Sequence, residues 1–300
     1  MQNDLIDIRS DILKAIKNKK PLVALESSLI SHGLPYPQNL EVAQKSIQAV
    51  EDSGSVAATI AVLNGKIKIG LSYEDLNILA RNENIEKISR HNLAITLTQS
   101  RNGATTVAST IMIAQQVGIK FFATGGIGGV HINAEKTFDI STDLIELSKT
   151  SMNVICSGAK SILDLNKTYE MLETLGISRI GYKTNYMPGF WYQDTNQKVD
   201  FNAQTITELK TLINKRNILK QKGSILILNP VPKKEEIKKN LVDKWIKKSL
   251  ALIKNKNVSG KHLTPFLITS INKLSNGRSL EANIALIINN SRLAGKIAAA

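Results

Sequence analysis

Lysine at position 160 closes the stretch NVICSGAK, an apolar strand pattern that runs through a glycine into a predicted helix. A lysine at the carboxyl edge of a sheet, beside apolar walls, can lose its proton and attack a carbonyl carbon. Glu26 holds the equivalent place after PLVAL, where a carboxyl group can serve as an acid. His32 and His131 are possible partners, although a lone histidine is more often structural. The segment Asp139-Ile-Ser-Thr-Asp143 offers either a simple helix start or an anion cradle. In the second case Asp139 would supply oxygen to a hard cation, with water and a phosphate completing the shell, because one carboxylate does not hold such an ion alone. GATTVAST at 103–110 is a second glycine-and-hydroxyl helix start of the same kind. Between these lie Gly125, Gly126, Gly128 and Gly129. They exceed what one turn requires and favour close approach of a flat or anionic ligand to the backbone.

Two common phosphate motifs do not fit. Gly126-x-Gly128 places His131 where a dinucleotide fingerprint needs its third glycine. GAKS at 158–161 ends like a phosphate-binding loop but lacks that loop's opening glycine.

The elements that must carry these residues alternate. PLVAL is a short buried strand and a helix runs from about Asn39 to Asp52. VAATIAVLNGKIKIGL reads as a hairpin turning at Asn64-Gly65. Ser72 and Asp75 have cap spacing, and Ser141 or Thr142 can cap a helix through Leu144 and Leu147. TVASTIMIAQQVGI, SILDLNKTYEMLETLG and a segment from about Thr205 read as helices, with IKFFAT, NVIC, ISRIGY and SILILNP as strands. Leu5, Ile8, Ile12 and Ile16 fall at helical intervals, and the last 65 residues read as entirely helical. The expected fold class is α/β: a single three-layer α/β/α domain over residues 1–300, with a central β-sheet and a helical C-terminal region. Ligands of such sheets bind beyond the carboxyl ends of the strands, where the unusual residues fall.

Composition narrows the partners. With 42% hydrophobic and 21% charged residues the chain reads as soluble and globular. No apolar run approaches the roughly 20 residues that span a bilayer. The acid-containing start argues against a secretory signal, and Cys156, the only cysteine, excludes an intrachain disulfide and a cysteine-based zinc site. A cytoplasmic location is expected. The net charge of +14 raises nucleic acid as a partner. The densest basic run, 233–248, has an apolar stripe of Ile237, Leu241, Trp245 and Leu250, so its lysines read as a solvated face. Aromatics are only 5% and are not interleaved with the basic runs, which weakens a stacking platform.

ALESSLISHGLPYPQN, NGATTVAST, FATGGIGGVH, FDISTDL, CSGAKSILDL and SLEANIALIINNSRLA, in this order from about Leu22 to Ala299, closely resemble the pseudouridine-5'-phosphate glycosidase (indigoidine synthase A-like) family. The resemblance implies reversible, lyase-type conversion of pseudouridine 5'-phosphate and water into uracil and ribose 5-phosphate. It also implies a Mn²⁺ ion per subunit, a homotrimer, and a free nucleotide rather than a nucleic acid polymer or a membrane as partner. It assigns the imine-forming nucleophile to Lys160, the proton donor to Glu26 and the manganese contact to Asp139. Substrate contacts fall to Lys87, Thr106, Val107, His131, Ser141, Thr142, Asp143 and Asn283, with Asp143 also a candidate for proton transfers. Asn185 and Gly189 depart from the aspartate and alanine usual in the family. Two other readings stay open: another Schiff-base lyase or aldolase acting on a sugar phosphate, and a basic nucleic-acid-binding protein.

Overall fold

The structure, a computed structural model, describes residues 4–253 and 263–300. Its first element is β1 (Ile6–Ile8), followed by α1 (Ser10–Lys17), so only part of the helical spacing expected from Leu5 onward forms a helix. β1 instead pairs in parallel with a later strand, which satisfies its backbone groups across the sheet. β2 (Leu22–Leu25), α2 (Ser28–His32) and α3 (Gln38–Glu51) come next. β3 (Val56–Leu63) and β4 (Lys66–Ile69) form the expected hairpin. Asn64 at φ 51° and Gly65 at φ 71° supply the left-handed pair that a two-residue turn needs. α4 (Tyr73–Arg81) opens with the reciprocal Ser72–Asp75 cap.

β5 (Glu86–Ile88), α5 (Leu93–Thr98), β6 (Gly103–Thr105), α6 (Val107–Gln116) and β7 (Phe121–Ala123) lead to the glycine run. Beyond it lie α7 (Ala134–Thr137), α8 (Thr142–Lys149), β8 (Asn153–Cys156) and α9 (Leu165–Thr174). The helix expected from Ser161 starts only at Leu165, because the Asp164 carboxylate accepts the Lys167 N–H and sets the cap there. β9 (Ser178–Tyr182), β10 (Phe201–Ala203), α10 (Ile206–Ile218) and β11 (Ile225–Leu228) complete the sheet. α11 (Lys239–Ile253), α12 (Leu263–Leu274) and α13 (Arg278–Ala299) form the helical C-terminal region; the part of it expected over 254–262 lies outside the described residues. Ile237, Leu241, Trp245 and Leu250 pack against the main core, and the lysines of 233–248 are exposed, as the stripe predicts.

The strands follow the order β1-β4-β3-β2-β7-β8-β11-β9-β10. From β3 through β10 in that order every pairing is parallel. Both faces are buried, and alternate residues of one strand belong to different cores. On β2, Leu22 and Ala24 face the core that holds Ile111 of α6, Leu144 of α8 and Leu172 of α9. Val23 and Leu25 face the core that holds Val50 of α3, Ile213 of α10 and Leu293 of α13. That period of two, with helices on each side, is the three-layer α/β/α arrangement.

One irregularity builds the site. β3 outruns β2: residues 56–59 pair with β2, and beyond them Ala61 and Val62 pair with β6, which in turn pairs with β5. The sheet forks where β2 stops, so the residues leaving β2 face those arriving on β5 and β6.

Candidate active site

Glu26 is the first residue past β2. Its two carboxylate oxygens accept the hydroxyls of Ser28, which begins α2, and Thr124, which follows β7. Lys160 leaves β8 through a turn at Gly158 (φ 85°), and the turn is tied to the glycine run. Ile127 N–H donates to the Gly158 carbonyl at 3.0 Å, and Lys160 N–H to the Ile127 carbonyl at 3.1 Å. Lys87, central in β5, faces the same space. Neither the Lys160 nor the Lys87 amino group has a hydrogen bond or ion pair among the described residues. Burial first, and the charge of Lys160 second, push the Lys87 amine below its ordinary value, while Asp143, Glu26 and Asp139 oppose that shift. Two neighbouring amines without a carboxylate partner make a site that a dianion would complete.

Opposite them stand two helix starts. Thr106 caps α6 and Val107 is its first residue; Ser141 caps α8 by accepting the Asp143 N–H at 3.2 Å. The hydroxyls of Thr142 and Ser89 lie 2.6 Å apart, bringing the turn after β5 onto α8. Arg90 reinforces that junction with a 2.5 Å ion pair to the buried Glu146. Asp143 is 6% exposed; its Oδ1 accepts the Ala108 N–H at 3.0 Å and its Oδ2 the Gly128 N–H at 2.8 Å. Both oxygens are therefore engaged by backbone, which suits a carboxylate that joins α6, α8 and the glycine run better than one that shuttles protons.

A cavity of about 1420 Å³ unites these groups. Glu26, Lys87, Thr106, Val107, His131, Asp139, Ser141, Thr142, Asp143 and Lys160 all line it, and it continues past Lys87 toward Asn64 and 99–102. Asn283 is not brought to its wall: it is buried in α13, and its Oδ1 accepts the Trp191 indole N–H at 2.6 Å. Ser28, Ser89 and Thr124 were missed in the sequence. Thr124 alone had a legible signal, since it ends the FFAT strand pattern at the same depth as Glu26 ends PLVAL.

The glycine run behaves differently from expectation. None of its four members lies at positive φ. A side chain at Gly125 would meet Ile287 and Leu286 of α13, at Gly126 the Phe190 ring, at Gly128 Ser141 and Asp143, and at Gly129 Thr168. The glycines let the protein's own elements close on the loop; only Gly128 also reaches the cavity. Gly189 has a similar cause, since a methyl there would fall within the Tyr192 ring. Asn185 accepts the Asn202 amide at 2.6 Å, away from the cavity.

Asp139 is half-buried, and its carbonyl accepts the His131 N–H at 3.0 Å. Among the described residues no group of three or more His, Cys, Asp or Glu side chains converges to hold a metal. The buried His131 Nδ1 has no partner there either. A donor set of one carboxylate, with one imidazole nearby, fits a hydrated hard cation that draws further oxygens from a bound phosphate, not a closed protein cage.

Burial lowers the proton affinity of His131 and His32, and Lys87 adds to the effect on each. The unfolded chain, whose His32 has its ordinary value of 6.5, then binds protons more readily than the folded one. Stability is therefore expected to be complete above 6.5 and to decline as pH falls toward the lowered folded value. Thermal melting between about pH 7.5 and about pH 5.5 should show that decline, and His32→Gln should flatten it. An identical slope in the variant would remove His32 from the account. No helix among the described residues is long and apolar enough to cross a membrane.

The family model described as indigoidine synthase A like protein matches residues 11–300. A Petrotoga mobilis protein named pseudouridine-5'-phosphate glycosidase is 46% identical over 293 residues, covering 98% of this chain and 96% of its own. A Staphylococcus aureus protein of the same name is 46% identical over 295 residues, with the same coverage, 98% and 96%. Among solved structures, the prealnumycin C-glycosynthase AlnA in complex with ribulose 5-phosphate superposes with a TM-score of 0.91 at 33% identity, covering 99% of this chain and 97% of its own. An indigoidine synthase A-like protein of Thermotoga maritima gives 0.90 at 34% identity, covering 98% and 96%.

Proposed function

Since this chain belongs to the indigoidine synthase A-like family, we propose that it reversibly cleaves the carbon–carbon glycosidic bond of pseudouridine 5'-phosphate to give uracil and ribose 5-phosphate. The observation that carries the reading is the meeting of Lys160, Glu26 and the Lys87–Ser141–Thr142 end in one cavity. The relatives' shared name supplies the substrate, and AlnA's ribulose 5-phosphate complex supports a sugar-phosphate site.

The chemistry asks for an amine. Ordinary glycosidases protonate an oxygen leaving group between two carboxylates, whereas here the leaving atom is carbon. Lys160 Nζ bonds to C1' as the ring oxygen departs and takes up the proton the nitrogen sheds, becoming the 4'-hydroxyl, and Glu26 delivers a proton to C5 of the base. The C1'–C5 electrons then leave with uracil while the nitrogen pair forms the imine. Water hydrolyses the imine, releasing ribose 5-phosphate and the free amine. Lys87, Ser141 and Thr142, with the Thr106–Val107 helix start, hold the phosphate, so C1' stays within reach of Lys160 throughout. Asp139 would hold Mn²⁺, which when bound supplies positive charge beside the phosphate. A homotrimer is the expected assembly and the cytoplasm the expected location.

Purified protein with Mn²⁺, uracil and ribose 5-phosphate should yield a new ultraviolet-absorbing nucleotide by chromatography. Absence of product in both directions would overturn the assignment. Lys87→Met removes one charge-assisted contact of roughly 1.5–3 kcal/mol and is expected to raise KM for ribose 5-phosphate about 10- to 100-fold. An unchanged KM would place the phosphate elsewhere.

A further inference from the structure

Asn290 is fully buried on α13 and does not line the cavity. Its Nδ2 lies 2.8 Å from the Thr124 carbonyl, 3.1 Å from Ser157 Oγ and 3.4 Å from the Gly125 carbonyl. Its Oδ1 accepts the Asn229 amide at 3.0 Å, and the Ser157 hydroxyl in turn donates to the Asn229 carbonyl at 2.8 Å. Thr124, Ser157 and Asn229 are the residues that immediately follow β7, β8 and β11. One side chain thus ties together the ends of three adjacent strands.

The contacts of those strand ends lead directly to the chemistry. The Thr124 hydroxyl donates to Glu26. Ser157 N–H donates to the Gly125 carbonyl at 2.9 Å, and three residues beyond Ser157 the turn delivers Lys160. Gly125 explains how α13 comes near enough. A Cβ there would sit 2.9 Å from Ile287 and 3.0 Å from Leu286, one helical turn before Asn290.

We propose that Asn290 is a positioning residue that sets Glu26, through Thr124, and Lys160, through Ser157, at their working separation. The proposal rests on the reaction assigned above. A buried amide has both a donor and an acceptor end, and this site uses both; a carboxylate or a hydrocarbon of the same shape supplies only one or neither. Asn290→Asp turns the donor into an oxygen aimed at two carbonyls and should separate the strand ends.

The test measures uracil-dependent kcat and KM for Asn290→Asp, Thr124→Val and the double variant, together with borohydride trapping of ribose 5-phosphate on Lys160. Asn290→Asp is expected to lower kcat at least about 30-fold with KM for ribose 5-phosphate changed less than about 3-fold, because the phosphate residues stand on β5, α6 and α8. The trapping rate should fall as well, and the double variant should lose less than the product of the single losses. Asn290→Ser, which keeps a donor that is too short, carries the test if the aspartate variant does not fold. Unchanged kcat, a loss confined to KM, or strictly multiplicative losses would each overturn the proposal. A wild-type protein that traps the sugar without using uracil would overturn the reaction instead, and the trapping rates would still report the positioning.

Discussion

Replacing Lys160 by alanine is expected to abolish the borohydride-trapped sugar adduct and lower turnover by roughly 10⁴-fold or more, since a positioned reactant commands an effective concentration of about 10⁵ M and upward. The structure makes this a discriminating experiment because a second amine is close by. Burial pushes the Lys87 amine toward the neutral form. By proton affinity alone Lys87 would qualify as the nucleophile. Geometry argues otherwise: Lys160 follows the β8 end, neighbouring the β7 end whose Thr124 holds Glu26, whereas Lys87 lies on β5 with the hydroxyls of Ser89 and Thr142. Mass spectrometry of the trapped protein decides the matter. An adduct on Lys160 that vanishes in Lys160→Ala and persists at high sugar concentration in Lys87→Met is the expected result. An adduct on Lys87, or full turnover in Lys160→Ala, would reverse the two roles.

Glu26→Gln is expected to lower turnover by about 10²- to 10⁴-fold, the range for loss of a positioned acid, while leaving imine trapping at Lys160 intact. The substitution preserves shape. Ser28 and Thr124 still flank the side chain, and only proton delivery is removed. Trapping uses ribose 5-phosphate and no base, so it isolates amine attack from bond cleavage. Loss of trapping along with turnover would show that Glu26 chiefly orients Lys160 or the sugar; undiminished turnover would show that another group protonates the base.

Much of this site was legible because strand ends are. A short apolar run that leads into a charged residue marks the carboxyl edge of a buried parallel strand: Glu26 comes directly after PLVAL, and Lys160 comes after NVIC and a three-residue turn. Cap spacing marked Ser72 and Ser141 in the same way, since a hydroxyl two or three residues before a helical N–H has a local task. Local tasks leave local signatures. The glycine run shows where this stops: its composition indicated close approach, and only the packing of α13, Phe190 and Thr168 revealed that the approaching atoms are the protein's own. Asp143 and Asn283 share that fate, their partners lying at Ala108 and Gly128 in one case and at Trp191 in the other.

By itself, the order of residues determined the α/β layering, the hairpin at Asn64-Gly65, the strand-end positions of Glu26 and Lys160, and, through long ordered motifs, the family. Each of those rests on interactions within a few residues or on a period of two or 3.6 along the chain. The tertiary structure alone decided that β3 outruns β2 to open the fork, that Asp143 spends both oxygens on the backbone of α6 and the glycine run, and that Asn290 joins three strand ends. Those depend on side chains far apart in the chain competing for one buried volume, and no spacing along the chain records the outcome of that competition.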